Sequence, residues 1–224
     1  IKSRDGIVWV DTTSSVDELQ AALDLAGIRP DEVSMLITTH ADGDHIGGNS
    51  LLTCPKYAHL TTFERMKAAG RAEDEMPTIT FSEERMTLTA GEFTLELIHT
   101  AGHKPDQTIL WLPGPRVLLA SDLLFQGCYP YMLGGKVVDW IAALKALKEF
   151  EAEVILPGHG TVSHYDEVDL AIEYFETGLA VAGEHVRRGS LLEETLKDPA
   201  FPRHDNWERE TRIETNIEVF YTQA

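Results

Sequence analysis

Disulfides cannot organise this chain: its 224 residues include two cysteines, Cys54 and Cys128, too few for a disulfide framework. No apolar run reaches the ~18 residues that a membrane-spanning helix needs. No secretory signal pattern, internal repeat or low-complexity segment is present, so solenoid and disordered classes drop out. Basic residues are scarce, with Lys plus Arg at 19 against 37 for Asp plus Glu, a formal charge of −18. A surface that negative repels phosphate backbones and anionic lipid, which argues against nucleic acid or a membrane as partner. Metal cations would offset part of it. A cytoplasmic location is the expectation. The chain begins at Ile1 rather than with methionine, and Ile1 to Ser3 read as the tail of a strand whose hairpin began earlier.

What is present is ordinary globular composition, 43% hydrophobic and 25% charged. Ile7 to Val10 reads as a strand after the turn Arg4-Asp5-Gly6. Ser14 or Ser15 then caps a helix with Val16, Leu19, Leu23 and Ala26 on one face, ended by Gly27. Val33 to Ile37 and Tyr57 to Leu60 read as strands, and Thr61 or Thr62 opens a helix through Ala69. Strands are expected near 78–81, 85–89, 93–99, 108–112 and 117–120. A helix should follow from Val138 to about Phe150, then a strand at Val154 to Leu156 broken by Pro157-Gly158. Residues 166–222 read as almost wholly helical, with one break at Pro199 to Pro202. This order predicts an α/β domain over 1–165, two sheets packed together with helices outside, and a helical segment over 166–224 packed on it.

The chemistry concentrates after strands. Thr38-Thr39-His40-Ala41-Asp42-Gly43-Asp44-His45-Ile46-Gly47-Gly48-Asn49 places four potential metal donors within six residues, directly after an apolar strand. A strand end delivers donors from a rigid base, and the two glycines permit a tight backbone turn. Imidazole with carboxylate suits zinc, iron or manganese. His99-Thr100-Ala101-Gly102-His103, Leu118 to Asp122, and Ile155-Leu156-Pro157-Gly158-His159-Gly160 share one grammar: apolar strand, then donor, with small residues nearby.

Taken together, the ordered set His40, Asp44-His45, His103, Asp122 and His159 resembles the metallo-β-lactamase superfamily, over nearly all of residues 6–165. The resemblance implies a four-layer αββα sandwich with two divalent metal ions, zinc first and iron or manganese as the alternative. It implies His40 and His103 on the first metal, Asp44, His45 and His159 on the second, and Asp122 bridging. It also implies a metal-bound hydroxide as nucleophile. One position departs from the family pattern His-x-His-x-Asp-His: Asp42 stands where the middle histidine is expected. Asp42 is read as a further ligand of the first metal, a harder and anionic donor that favours iron or manganese. The alternative is a side chain too short to reach.

Asp44 is also the candidate to orient the nucleophile or accept its proton. Lys104 could meet a substrate carboxylate, with a solvated lysine as the other reading. Tyr129 and Tyr131 either line the pocket or pack in the core. His99 reads as a packing residue or one that orients a ligand. His59, His164, His185 and His204 lack the strand-to-glycine context. Cys54 reads as buried and inert, and nothing marks Cys128 as a nucleophile. Glu208, Arg209, Glu210 and Arg212 read as a solvated helix face. The apolar stripe of the tail either packs on the sandwich, caps the pocket or forms a homodimer face.

The resulting expectation is a metal-dependent hydrolase of a small ester, thioester, lactone or lactam. A non-haem iron oxidoreductase or dioxygenase is the second reading, raised by Asp42. A phosphodiesterase is third, and a non-enzymatic binding protein with a degraded site is fourth.

Overall fold

The computed structural model describes residues 1–224, and the chain divides into two compact units: 1–100 with 106–115, and 101–105 with 116–224. In the first unit, β1 (Lys2–Ser3) and β2 (Gly6–Val10) form an antiparallel hairpin. The sheet continues in parallel through β3 (Val33–Ile37), β4 (Lys56–His59) and β5 (Ile79–Phe81), in the order β1-β2-β3-β4-β5. The right-handed crossover rule requires covering helices here, and the sequence supplies them. The helix α1 (Val16–Ala26) starts where the Ser15 side chain accepts a hydrogen bond from Glu18 N, and stops where Gly27 turns left-handed at φ 65°. Leu19 and Leu23, one turn apart, join Ile28, Val33, Leu36 and Leu52 in a continuous buried cluster. Fully burying each leucine contributes about 1.5–3 kcal/mol.

The same unit holds an antiparallel meander of β6 (Arg85–Ala90), β7 (Phe93–His99) and β8 (Thr108–Leu112). Each residue of β8 is buried, which is why that segment carries no polar alternation.

The second unit is built on β9 (Val117–Phe125), which pairs in parallel with β10 (Val154–His159). The expected end of the last strand at Leu156 needs correction. Pairing runs on to His159, with register shifts on both sides of Pro157. A proline has no N–H for the ladder, so the strand bulges around it instead of stopping. Between these strands lies α4 (Val137–Leu147), extended by a 3-10 turn to Phe150.

The tail is less helical than its composition predicts. Its helices are α5 (Tyr165–Arg188), the single turn α6 (Leu192–Thr195) and α7 (Ile213–Gln223). Residues 196–209 carry no helix, and the only regular turn before α7 is the 3-10 turn Glu210–Arg212. Pro199 and Pro202 oppose a helix there, and beyond them the Trp207 ring packs 5.3 Å from Tyr129 and 5.4 Å from Tyr174. Buried Tyr174 and Phe175 of α5 meet Phe220 of α7 at centroid distances of 5.7 and 6.4 Å. Burial pushes the Tyr174 hydroxyl well above its ordinary pKa, and the phenol accepts from Asn216 Nδ2 at 3.0 Å.

Gly178 lets α5 and α7 approach closely, since a Cβ there would lie 2.3 Å from the Phe220 ring. Phe220 is 1% exposed and has no room to swing away. Gly178→Ala should therefore lose about 1–3 kcal/mol through overpacking, despite alanine's better helix propensity. Urea unfolding followed by circular dichroism checks it; an unchanged midpoint would show that the helix pair tolerates the extra methyl.

Candidate metal centre

One carboxylate organises the donor loop of the first unit. Asp11 follows β2 with its backbone in the left-handed region, φ 57°. Its Oδ1 accepts from Thr39 N at 2.8 Å, and its Oδ2 accepts from Thr39 Oγ1 at 2.7 Å. The same Oδ2 lies 2.8 Å from His45 Nδ1. A carboxylate only accepts, so His45 Nδ1 donates and Nε2 keeps its lone pair in the neutral ring. The single Thr39 hydroxyl hydrogen is committed to Asp11. At 3.0 Å, Thr39 Oγ1 therefore accepts from His40 Nδ1, which leaves His40 Nε2 as the lone-pair nitrogen too. Asp11 sets both tautomers. Sequence reading passed over it, although Ile7-Val8-Trp9-Val10-Asp11 has the same strand-then-donor grammar as the recognised sites.

Beyond His40 the chain makes one helical turn, α2 (Gly43–Ile46), with Asp42 just before it. The His40 and His45 rings lie 4.1 Å apart. Asp42 Oδ2 is 3.9 Å from His40 Nε2, and Asp44 Oδ2 is 3.9 Å from His45 Nε2. Asp44 is exposed, whereas His40 is fully buried. Gly47 and Gly48 do not serve the tight turn expected of them: their φ values are −63° and −98°, open to any residue. They are needed for close approach, since Cβ atoms would sit 2.1 Å from Ser14 O and 2.6 Å from Thr12 O. Asn49 locks the loop, accepting from Thr12 Oγ1 at 2.6 Å and donating to Glu75 O at 2.9 Å.

Asp42 also has a cationic neighbour. On α3 (Leu60–Ala68), Arg65 donates through Nη2 to Asp42 Oδ1, and through Nη1 to Asp106 Oδ1 at 2.9 Å. Asp106 Oδ2 in turn accepts from Ala41 N at 2.8 Å. His99 is a packing residue, stacked on His59 at 3.7 Å. His59 caps α3, and burial followed by repulsion from His99 lowers its pKa.

In the second unit, three donors converge. Asp122 Oδ2 lies 3.5 Å from His103 Nε2 and 3.4 Å from His159 Nε2. His103 is fully buried, with the rings of Trp140 and Phe125 edge-on at 5.2 and 5.7 Å. The His159 ring stacks on Phe125 at 5.0 Å. Gly158 admits the carboxylate: a Cβ there would lie 1.8 Å from Asp122 Oδ1. The Pro157-Gly158 pair is thus part of the site and not a strand terminator.

The substrate-side candidates divide. Tyr129 is a core residue, 1% exposed, whose hydroxyl accepts from His204 N at 2.8 Å. Tyr131 is 39% exposed, with Lys104 Nζ 4.8 Å above its ring. Lys104 is not a solvated lysine: it is buried and donates to Leu133 O. Residues 208–211 are exposed, as expected, but only 210–212 make a helical turn, and Arg212 is half-buried. Glu208 N donates to Gly127 O at 2.9 Å, and Arg212 Nη1 donates to Tyr129 O at 2.9 Å. Arg209 reaches to within 3.4 Å of His159 Nδ1. These residues were missed because their partners are distant in sequence and no local periodicity signals them. Burial pushes the thiols of Cys54 and Cys128 up, which keeps them protonated and inert.

Comparison with known proteins gives the family. The family model described as the metallo-beta-lactamase superfamily matches residues 1–159. A linear primary-alkylsulfatase of Pseudomonas sp. (strain ATCC 19151) is 23% identical, over 91% of this chain and 50% of that protein. A beta-lactamase-like protein 2 homolog of Caenorhabditis elegans is 27% identical, over 63% of this chain and 48% of that protein. The chain spans about half the length of these two relatives. Among solved structures, a metallo-beta-lactamase from Pontibacter korlensis superposes with a TM-score of 0.71 at 19% identity, covering 79% of this chain and 85% of that one. The metallo-beta-lactamase IND-7 gives 0.69 at 22%, covering 79% and 84%. The fold is the mixed α/β metallo-beta-lactamase fold that the resemblance implies.

Removing the Asp11 carboxylate should loosen both histidines without deleting a donor. Asp11→Asn is expected to weaken divalent metal binding about 10- to 100-fold, the usual cost of losing a partner that orients a ligand. Competition with a chromophoric chelator measures it, and wild-type affinity in the variant would refute the role.

Proposed function

Because the chain belongs to the metallo-β-lactamase superfamily, we propose that it is a metal-dependent hydrolase of a small ester, thioester, lactone or lactam. The observation that carries this reading is the set of imidazole Nε2 atoms facing carboxylate oxygens at 3.4, 3.5, 3.9 and 3.9 Å. These distances are too long for direct hydrogen bonds, and two donors each ~2.0–2.1 Å from a shared tetrahedral ion stand ~3.4 Å apart. The donor chemistry, neutral imidazole with carboxylate, fits a divalent ion, and zinc is the first choice.

Carried over residue by residue, the family's assignment gives His40, His103 and Asp42 to one metal. It gives Asp44, His45 and His159 to the other, with Asp122 shared. When bound, such ions acidify a water toward a pKa of ~7 and polarise the acyl oxygen. The chain's own residues then do the rest. Asp44, the exposed carboxylate of the set, takes the attacking water's proton. Trp140 and Phe125 wall His103 from solvent and hold its ring. The exposed face of Tyr131 offers a surface for the apolar part of a small substrate.

The iron oxidoreductase reading rested on the anionic donor Asp42. Arg65 offsets that charge, so the harder-metal argument loses force and hydrolysis stands first.

Elemental analysis of protein purified without added metal should find two equivalents of divalent ion, falling in Asp122→Ala. A panel of esters, thioesters, lactones and β-lactams should yield turnover that a chelator abolishes and zinc restores. Chelator-resistant turnover would sink the metallohydrolase, and iron with oxygen consumption would install the second reading instead.

A further inference from the structure

We propose that Arg65 is a positioning residue for Asp42: it occupies one carboxylate oxygen and so presents the other beside His40. The inference rests on the metal-centre reading above, but concerns a residue that reading does not use. Asp42 Oδ1 accepts from Arg65 Nη2, while Asp42 Oδ2 is the oxygen 3.9 Å from His40 Nε2. A carboxylate held in this way favours giving a metal one oxygen over two, because Oδ1 already serves the guanidinium. Its charge is also partly matched, so it stands closer to the neutral imidazole that the family pattern places there.

The clamp is itself braced. The second nitrogen of the guanidinium, Nη1, donates to Asp106 Oδ1 at 2.9 Å, and Asp106 Oδ2 accepts from Ala41 N at 2.8 Å. Thr62 Oγ1, one turn before Arg65 on α3, donates to Asp106 O at 3.1 Å. One guanidinium therefore ties α3 to the peptide before Asp42 and to Asp42 itself. The planar fork suits this task, because its two N–H directions are fixed relative to one another. Asp106 is 2% exposed and Asp42 15%, against 38% for Arg65, so the pair is shielded where it meets the donor loop. Burial opposes the Arg65 charge, but the Asp106 and Asp42 carboxylates outweigh it and hold its pKa above the ordinary value.

The test compares Arg65→Gln in two backgrounds, wild type and Asp42→Ala, using cobalt(II) as the probe metal. Metal affinity and the visible ligand-field bands are the readouts, and thermal unfolding of each metal-free protein confirms folding. If Arg65 acts through Asp42, Arg65→Gln changes affinity by about 10-fold or more in the wild-type background, as loss of a ligand's partner does. It also weakens the visible bands, because a released carboxylate can chelate with both oxygens and raise the coordination number. In the Asp42→Ala background the same substitution leaves both readouts where they were. Arg65→Lys, which keeps the charge but not the fork, should fall between. Equal effects in both backgrounds would mean that Arg65 merely supports the loop, and no effect in either would leave it without a role; each overturns the proposal. Wild-type protein that takes up no cobalt would instead overturn the metal-centre reading itself, and this inference with it.

Discussion

The donor loop of the first unit depends on the carboxylate of Asp11. Its two oxygens accept from a backbone amide, a hydroxyl and an imidazole, at 2.8, 2.7 and 2.8 Å. Through the hydroxyl of Thr39 the same charge governs a second imidazole. Two histidines that differ by five positions in sequence are thus poised by one residue 29 and 34 positions earlier. A neutral residue in that place would leave each ring free to choose its tautomer and its tilt. The left-handed backbone at Asp11, sparsely populated outside glycine, asparagine and aspartate, is the conformational cost of this placement.

A single steric logic runs through both units. The small residues next to donors are there because backbone or carboxylate comes within contact distance. Gly47 and Gly48 lie against residues 12 and 14, and Gly158 lies against Asp122. Among the glycines beside donors, Gly102, at φ 141°, and Gly160, at φ 110°, combine close approach with a dihedral that side chains avoid. The donors are thereby fixed by what cannot be inserted beside them as much as by what bonds to them.

Much of this was legible beforehand. Strand ends followed by His or Asp are visible as such, and the cap pair Ser15 and Gly27 bounds α1 where periodicity puts it. The strands of the meander fall within a residue or two of expectation because turn residues punctuate them. What was not legible shares one cause: it depends on partners far along the chain. Asp11 follows an apolar strand as the other donors do, but its orienting role emerges only once Thr39 and His45 are placed on it. Lys104 looks solvated until Leu133 O covers it. Pro199 and Pro202 announce a break in the tail, but its extension to residue 209 goes with the packing of Trp207 on Tyr129 and Tyr174, which no local pattern signals. Pro157 reads as a strand breaker in one dimension and as a bulge once β9 lies alongside.

The link between the tail and the loop after β9 has a consequence for the order of assembly. Arg212 reaches the Tyr129 carbonyl across 83 positions of sequence, and His204 reaches the Tyr129 hydroxyl across 75. Contacts of such separation carry a large loop-closure entropy and form late, after local pairs have condensed. The segment bearing Arg209, which lies beside His159, is therefore among the last parts of its unit to settle. During synthesis the strand carrying His159 is complete well before the residues that flank it have left the ribosome. A nascent chain would hold that imidazole more open to solvent, and to stray metal, than the finished protein does.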